Sequence, residues 1–99
     1  MPLRFEFTGQ VFSWRGPAPF TFVRVPEAEC RSVREVASLV TYGWGMVPVA
    51  VRLGGTEWTT TLFPKDGAYL VPIKMKVQRA EQVDVGDVVT LRLDIDVET

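Results

Sequence analysis

Apolar and polar residues alternate with a period of two along most of this chain, and glycine or proline breaks the alternation each time. This pattern is typical of short, half-buried strands that are joined by tight turns. It is clearest in the last strand, whose alternating apolar residues are Val89, Leu91, Leu93, Ile95 and Val97. Because a small sheet must hide its edges, the pattern favours a closed or nearly closed barrel over a flat sheet.

Five further segments are predicted strands, the last of them a continuous apolar run and not an alternation. They are residues 4–13, 20–25, 47–53, 56–63 and 68–73. Gly54-Gly55 separates two of them and is typical of a hairpin turn. Residues 64–67 separate the next two, with Pro64 expected at the first corner and Gly67 expected to need a positive φ. The sequence therefore predicts a mainly β fold with about six strands.

One segment follows a helical period instead. Between Pro26 and Gly43, apolar residues recur at three- and four-residue spacing. Proline at the start, acidic Glu27 and Glu29 in the first turn and glycine after the end are typical helix boundaries. We expect an amphipathic helix over residues 27–41 that covers an open end of the barrel. The residues expected to be buried there are Val33, Val36, Ala37 and Val40.

A second, shorter helical turn is predicted over residues 74–80. Its composition favours a helix, but its length allows only one or two turns. We expect Met75, and with it Val77 or Ala80, to face the core.

Composition limits the chemistry. The 99 residues are enough for one domain, residues 1–99, and the net charge of −1 gives no global field that would hold a nucleic acid or an anionic membrane. The absence of histidine removes the usual zinc sites and the commonest catalytic base. Cys30 lies on the apolar face of the predicted helix and is interpreted as a buried structural thiol. We therefore predict no catalytic residue, no metal and no cofactor.

The location follows from the apolar runs. None approaches the roughly 20 residues that cross a bilayer. The first residues alternate like a strand and lack the apolar core of a signal peptide. We expect a cytoplasmic protein without a membrane partner.

Several motifs together resemble a known family. They are Tyr42-Gly43-Trp44-Gly45-Met46-Val47-Pro48-Val49, Trp58-Thr59-Thr60-Thr61-Leu62-Phe63-Pro64-Lys65-Asp66-Gly67, Tyr69-Leu70-Val71-Pro72-Ile73-Lys74 and Gly86-Asp87. On these motifs the chain resembles DUF1905, a bacterial family of domains of unknown function. The resemblance implies a small double-split β-barrel, similar in fold to the swapped-hairpin barrels of transcription regulators and antitoxins. It implies no established activity, and some relatives carry a helical domain linked by name to bacteriocin protection.

Positive charge and tryptophan are concentrated in the middle of the chain, while residues 81–98 are mainly acidic. We expect a binding site formed by Trp44, Trp58, Lys65, Lys74, Lys76 and Arg79. Trp44, between two glycines, is alternatively a plug at one end of the core. The composition of this site predicts that the protein is a non-catalytic binding module for an anionic small molecule, a peptide or a partner protein.

Two alternatives remain for this site. One is a nucleic-acid-binding barrel like those of the regulators, although fold alone does not carry function. The other is an enzyme that uses lysine or aspartate chemistry. Convergent lysine and aspartate groups in a deep concave site would favour the enzyme, and a broad basic face would favour the binding module.

Overall fold

The structure is a computed structural model that describes residues 2–14, 20–40 and 47–96. Over these ranges the elements, in chain order, are β1 (Pro2–Trp14), β2 (Phe20–Arg24), α1 (Glu27–Val40), β3 (Val47–Leu53), β4 (Thr56–Lys65), β5 (Ala68–Pro72), α2 (Met75–Glu81) and β6 (Val88–Asp96). The strands form a closed barrel in the order β1-β2-β5-β4-β3-β6, and every pair is antiparallel. The predicted barrel, with its amphipathic helix and its short second helix, is confirmed.

Two long strands close the barrel, because each of them pairs in both halves of the sheet. The first part of β1, residues 2–10, pairs with β6, and residues 11–14 pair with β2. In the same way β4 pairs with β3 over residues 56–62 and with β5 over residues 63–65. Each strand of the described barrel therefore has a neighbour on both sides, which satisfies the backbone groups that an open edge would expose.

The core consists of the inward positions of these strands. All four alternate apolar residues of β3, from Val47 to Leu53, are buried, as are Leu91, Leu93 and Ile95 of β6. These positions confirm the period-two prediction for both strands.

Strand β2 carries buried apolar residues at two adjacent positions, Phe22 and Val23. Val23 lies opposite Val11 and faces the barrel interior, where both are buried. Phe22 lies opposite Phe12 on the outer face and is also buried, with the two ring centroids 6.1 Å apart. This part of the sheet is therefore apolar on both of its faces.

Helix α1 packs against β3 and β5 at one end of the barrel. Its residues Cys30 and Val33 are fully buried, and the Cys30 thiol donates a hydrogen bond to the Val25 carbonyl at 3.2 Å, as expected of a structural thiol. Val36 and Ala37 are only partly buried, and the side chain of Val40 lies outside the described residues. Neither α1 nor α2 is long and apolar enough to cross a membrane.

The hairpin between β4 and β5 corrects one prediction. Pro64 is not a corner of the turn but a residue of β4, paired with Tyr69. The two central residues of the turn are Asp66 and Gly67, with φ of 52° and 79°, between the paired residues Lys65 and Ala68. Two residues with positive φ are typical of the type I′ turn, whose twist matches that of a hairpin.

Gly67→Val should destabilise the domain by about 1 kcal/mol or more, because a β-branched residue rarely adopts a positive φ. A Cβ at this position would meet no atom within 4 Å, so the cost is one of backbone conformation alone. Gly55→Val is the matched control, since its Cβ is equally free of contacts and Gly55 does not have a positive φ. Urea unfolding measures the stability of both variants. An equal loss of stability in the two would contradict the interpretation that the positive φ of Gly67 causes the cost.

Candidate functional site

Helix α2 and the residue before it hold three of the six predicted site residues, and a single buried residue of the helix anchors it to the core. Val77 is buried in the core cluster together with Val83, which follows the helix. Gln82 has a left-handed conformation and ends the helix, and the Val83 N–H donates to the Gln78 carbonyl at 2.9 Å. The predicted inward position of Met75 is wrong: Met75 is 62% exposed, because Val77 occupies the face that packs on the barrel.

A polar contact also fixes the C-terminal end of α2. The Thr56 hydroxyl, at the start of β4, donates to Glu81 Oε2 at 2.5 Å. Glu81 also lies directly against Gly54, where a Cβ would overlap its Oε1. The acidic residue of the helix therefore attaches the C-terminal end of α2 to the hairpin between β3 and β4.

The basic residues of α2 point away from these attachments. Lys74, at the position before the helix, and Lys76 and Arg79 within it are all exposed. None of the ion pairs within the described ranges includes any of the three. Arg79 donates only to the Met75 sulfur, at 3.4 Å. The surface formed by Lys74, Lys76 and Arg79, called the α2 basic surface below, therefore presents three cations to solvent.

Two of these cations lie where they reduce the stability of the helix. The first turn of a helix carries partial positive charge, so cations there are unfavourable by about 0.3–1 kcal/mol each. Lys74 takes the N-cap position without a side-chain capping bond, and the first turn holds no acidic residue. Lys76 and Arg79 are three residues apart, a spacing at which like charges repel. Helix stability therefore explains Arg79, which lies in the last turn where a cation is favourable, but does not explain the two lysines.

The structure separates the other predicted site residues from this surface. Lys65 ends β4 and Lys74 follows β5, so the length of β5, about 15 Å, lies between them. Trp58 faces the core at 9% exposure, with no hydrogen-bond partner for its Nε1. Trp44 lies outside the described residues. Of the six predicted residues, Lys74, Lys76 and Arg79 lie on α2 or directly before it.

Sequence reasoning missed the polar neighbours of Arg79. A shallow cavity of about 400 Å³ runs along α2 and is lined by Met75, Gln78, Arg79, Gln82, Val83 and Asp84. The helical spacing of residues 75, 78 and 79 was the available signal, since residues three and four apart share a face.

The chemistry available on the α2 basic surface is recognition by charge and hydrogen bonding. Lysine and arginine donate to carboxylate and phosphate oxygens and accept nothing. Within the described ranges, no group of three or more Cys, Asp or Glu side chains is placed to hold a metal ion.

Comparison with protein families gives one finding. The model of the family described as Domain of unknown function (DUF1905) matches residues 7–93, which span the described barrel from β1 to β6. None of the curated proteins matches the chain.

Proposed function

This chain belongs to the DUF1905 family, whose description names no activity, and we propose that it is a non-catalytic binding module for an anionic partner. The partner contact is the α2 basic surface, and the partner is an acidic segment of a peptide or protein. The observation that carries the proposal is the set of three exposed cations on and beside a seven-residue helix, without a carboxylate partner in the described structure.

Charge placement supports this proposal. Natural helices place acidic residues in the first turn because the macrodipole favours them there, and α1 does so with Glu27 and Glu29. Helix α2 has basic residues at the same place instead, so it gives up stability that α1 gains. Residues that reduce stability are typical of functional sites, where binding and not folding decides the residue type.

The range of the field limits what the surface can recognise. At physiological salt, exposed charges are screened over about 8 Å, so direct contacts with the partner's carboxylates are needed. Lys76 and Arg79 are one helical turn apart and Lys74 precedes them, and a short acidic segment can contact all three. Three such contacts on an exposed surface give weak, salt-dependent binding.

The double substitution Lys74→Asp and Lys76→Glu should weaken binding of polyglutamate by about tenfold or more at low salt. It should also raise the free energy of unfolding by about 1 kcal/mol, because it supplies an N-cap and an acidic first turn. Fluorescence titration and urea unfolding measure the two effects. A gain in stability together with a loss of binding is the result that a purely structural role of the lysines does not produce.

Arg31→Glu is the matched control for Lys76→Glu. It makes the same change of charge at an exposed helical position, but on α1. We expect it to leave polyglutamate binding unchanged within about twofold. An equal loss of polyglutamate affinity in Arg31→Glu and in the double variant would overturn the proposal. So would the absence of polyglutamate binding by the wild type at low salt. Tighter binding of single-stranded DNA than of polyglutamate would favour the nucleic-acid alternative instead.

A further inference from the structure

A second concave surface lies on the outer face of the barrel, away from α2. It is a groove of about 610 Å³ lined by Gln10, Phe12, Ser13, Arg24, Lys65, Asp66 and Leu70. These residues come from β1, β2, β4, β5 and the β4–β5 turn, and none of them belongs to α2. The groove is therefore independent of the α2 basic surface.

The strand register explains why the floor of this groove is apolar. Leu70 of β5 lies between Arg24 of β2 and Phe63 of β4, and all three face outward. Phe12 of β1 lies on the same face and is half-buried, while Phe63 is 41% exposed beside the groove. An apolar surface on the outside of a small barrel is unusual, because outward positions of antiparallel strands are normally polar.

Two cations line the groove above this floor. Arg24 and Lys65 lie on β2 and β4, which are two strand spacings or about 10 Å apart, with β5 between them. Arg24 makes no ion pair and no side-chain hydrogen bond within residues 2–14, 20–40 and 47–96. Asp66, in the turn, and the polar side chains of Gln10 and Ser13 complete the lining.

We propose that this groove is a ligand site for a small molecule that carries an oxyanion group, a carboxylate or a sulfonate, on an apolar body. The apolar body packs on Phe12 and Leu70, and the oxyanion accepts hydrogen bonds from Arg24 and Lys65. Arginine is suited to this role because its planar fork matches a carboxylate. The volume lies within the range of roughly 300–1,000 Å³ that small-molecule sites occupy.

Other classes of ligand fit the groove less well. A neutral apolar molecule would cover Arg24 and leave its charge without a partner, which is costly. An inorganic anion would contact the two cations but leave the exposed part of the Phe12 ring in contact with water. Only a ligand with both parts satisfies the charge and the apolar floor together.

The probe for this site is 1-naphthoate, with 1-naphthalenemethanol and inorganic phosphate as the neutral and the purely ionic comparisons. Backbone amide NMR shifts locate the binding, and their titration gives the affinity. We expect 1-naphthoate to bind with a dissociation constant of about 1 mM or tighter, from about 0.3 kcal/mol per non-hydrogen atom. The largest shifts should fall on β2, β5 and the β4–β5 turn, and both comparison compounds should bind about tenfold more weakly.

Three variants test the assignment. Arg24→Gln should weaken 1-naphthoate binding about tenfold, and Phe12→Ala several-fold, each with the barrel still folded because neither residue belongs to the interior core. Arg31→Gln, at an exposed position of α1, is the control and should leave 1-naphthoate affinity unchanged. Shifts confined to α2, unchanged affinity in Arg24→Gln, or equal affinity for the three compounds would overturn the proposal. The α2 basic surface is tested by other variants, so each proposal can fail without the other.

Discussion

Val33→Asp should destabilise the domain by about 4 kcal/mol, because it places a charged group in the interior of the protein. Val33 is 0% exposed and lies in the core cluster, on the face of α1 that covers one end of the barrel. Among the described residues, the core holds no buried cation with which a carboxylate at this position could pair. Because small domains are stable by only about 5–15 kcal/mol, the variant should be close to unfolding at room temperature.

Two further substitutions on α1 allow the loss of stability to be compared between positions of different burial. Val36→Asp should cost about half as much, because Val36 is only partly buried and a carboxylate there can reach water. Ala28→Asp places the same side chain at an exposed position of the first turn and should be neutral or slightly stabilising. Urea unfolding followed by circular dichroism ranks the three variants by their free energy of unfolding. The same midpoint for Val33→Asp and Ala28→Asp would show that α1 does not cover the core.

The alternation in the sequence was sufficient to predict the barrel, because inward and outward positions of most strands differ sharply in polarity. It failed at Pro64 for a physical reason. Proline at the first corner of a turn and proline at the end of a strand look alike in sequence, and only the pairing with Tyr69 decides between them. It failed at Met75 because a seven-residue helix with one buried residue has too little periodicity to define its inner face.

The order of the strands in the barrel decides which residues come together in the candidate sites, and this order cannot be read from the sequence. Lys65 and Lys74 are nine residues apart in the chain, yet β5 runs between them and places them at its two ends. Conversely, Arg24 and Lys65 are distant in sequence but line one groove, because β2, β5 and β4 are neighbours in the barrel. The doubled apolar pairs Val11-Phe12 and Phe22-Val23 were the available signal, since apolar residues on both faces of a hairpin indicate a second buried surface.

Gly9 marks the point at which β1 leaves one half of the barrel for the other. Residues up to Gln10 pair with β6, and those from Val11 onward pair with β2. Gly9 occupies an inward position in the alternation, and the Val23 side chain fills the space beside it. A Cβ on Gly9 would lie 2.7 Å from Val23 Cγ1 and 3.4 Å from the Arg24 carbonyl oxygen. The absence of a side chain therefore permits the close approach of the strands at this corner.

Gly9→Ala should accordingly cost about 1–3 kcal/mol through overpacking, although alanine is otherwise the better strand residue. Val23→Ala should cost about 2 kcal/mol by leaving a cavity in the fully buried core. The double variant should lose clearly less stability than the sum of the losses in the two single variants. The reason is that removal of the Val23 γ-carbons relieves the contact that the new Cβ creates. A coupling of about 1 kcal/mol between the sites is within the range seen for residues in contact. Denaturant unfolding of the wild type, the two single variants and the double variant measures this coupling. Strict additivity of the losses in stability would show that Gly9 is required for its backbone conformation and not for the space it leaves to Val23.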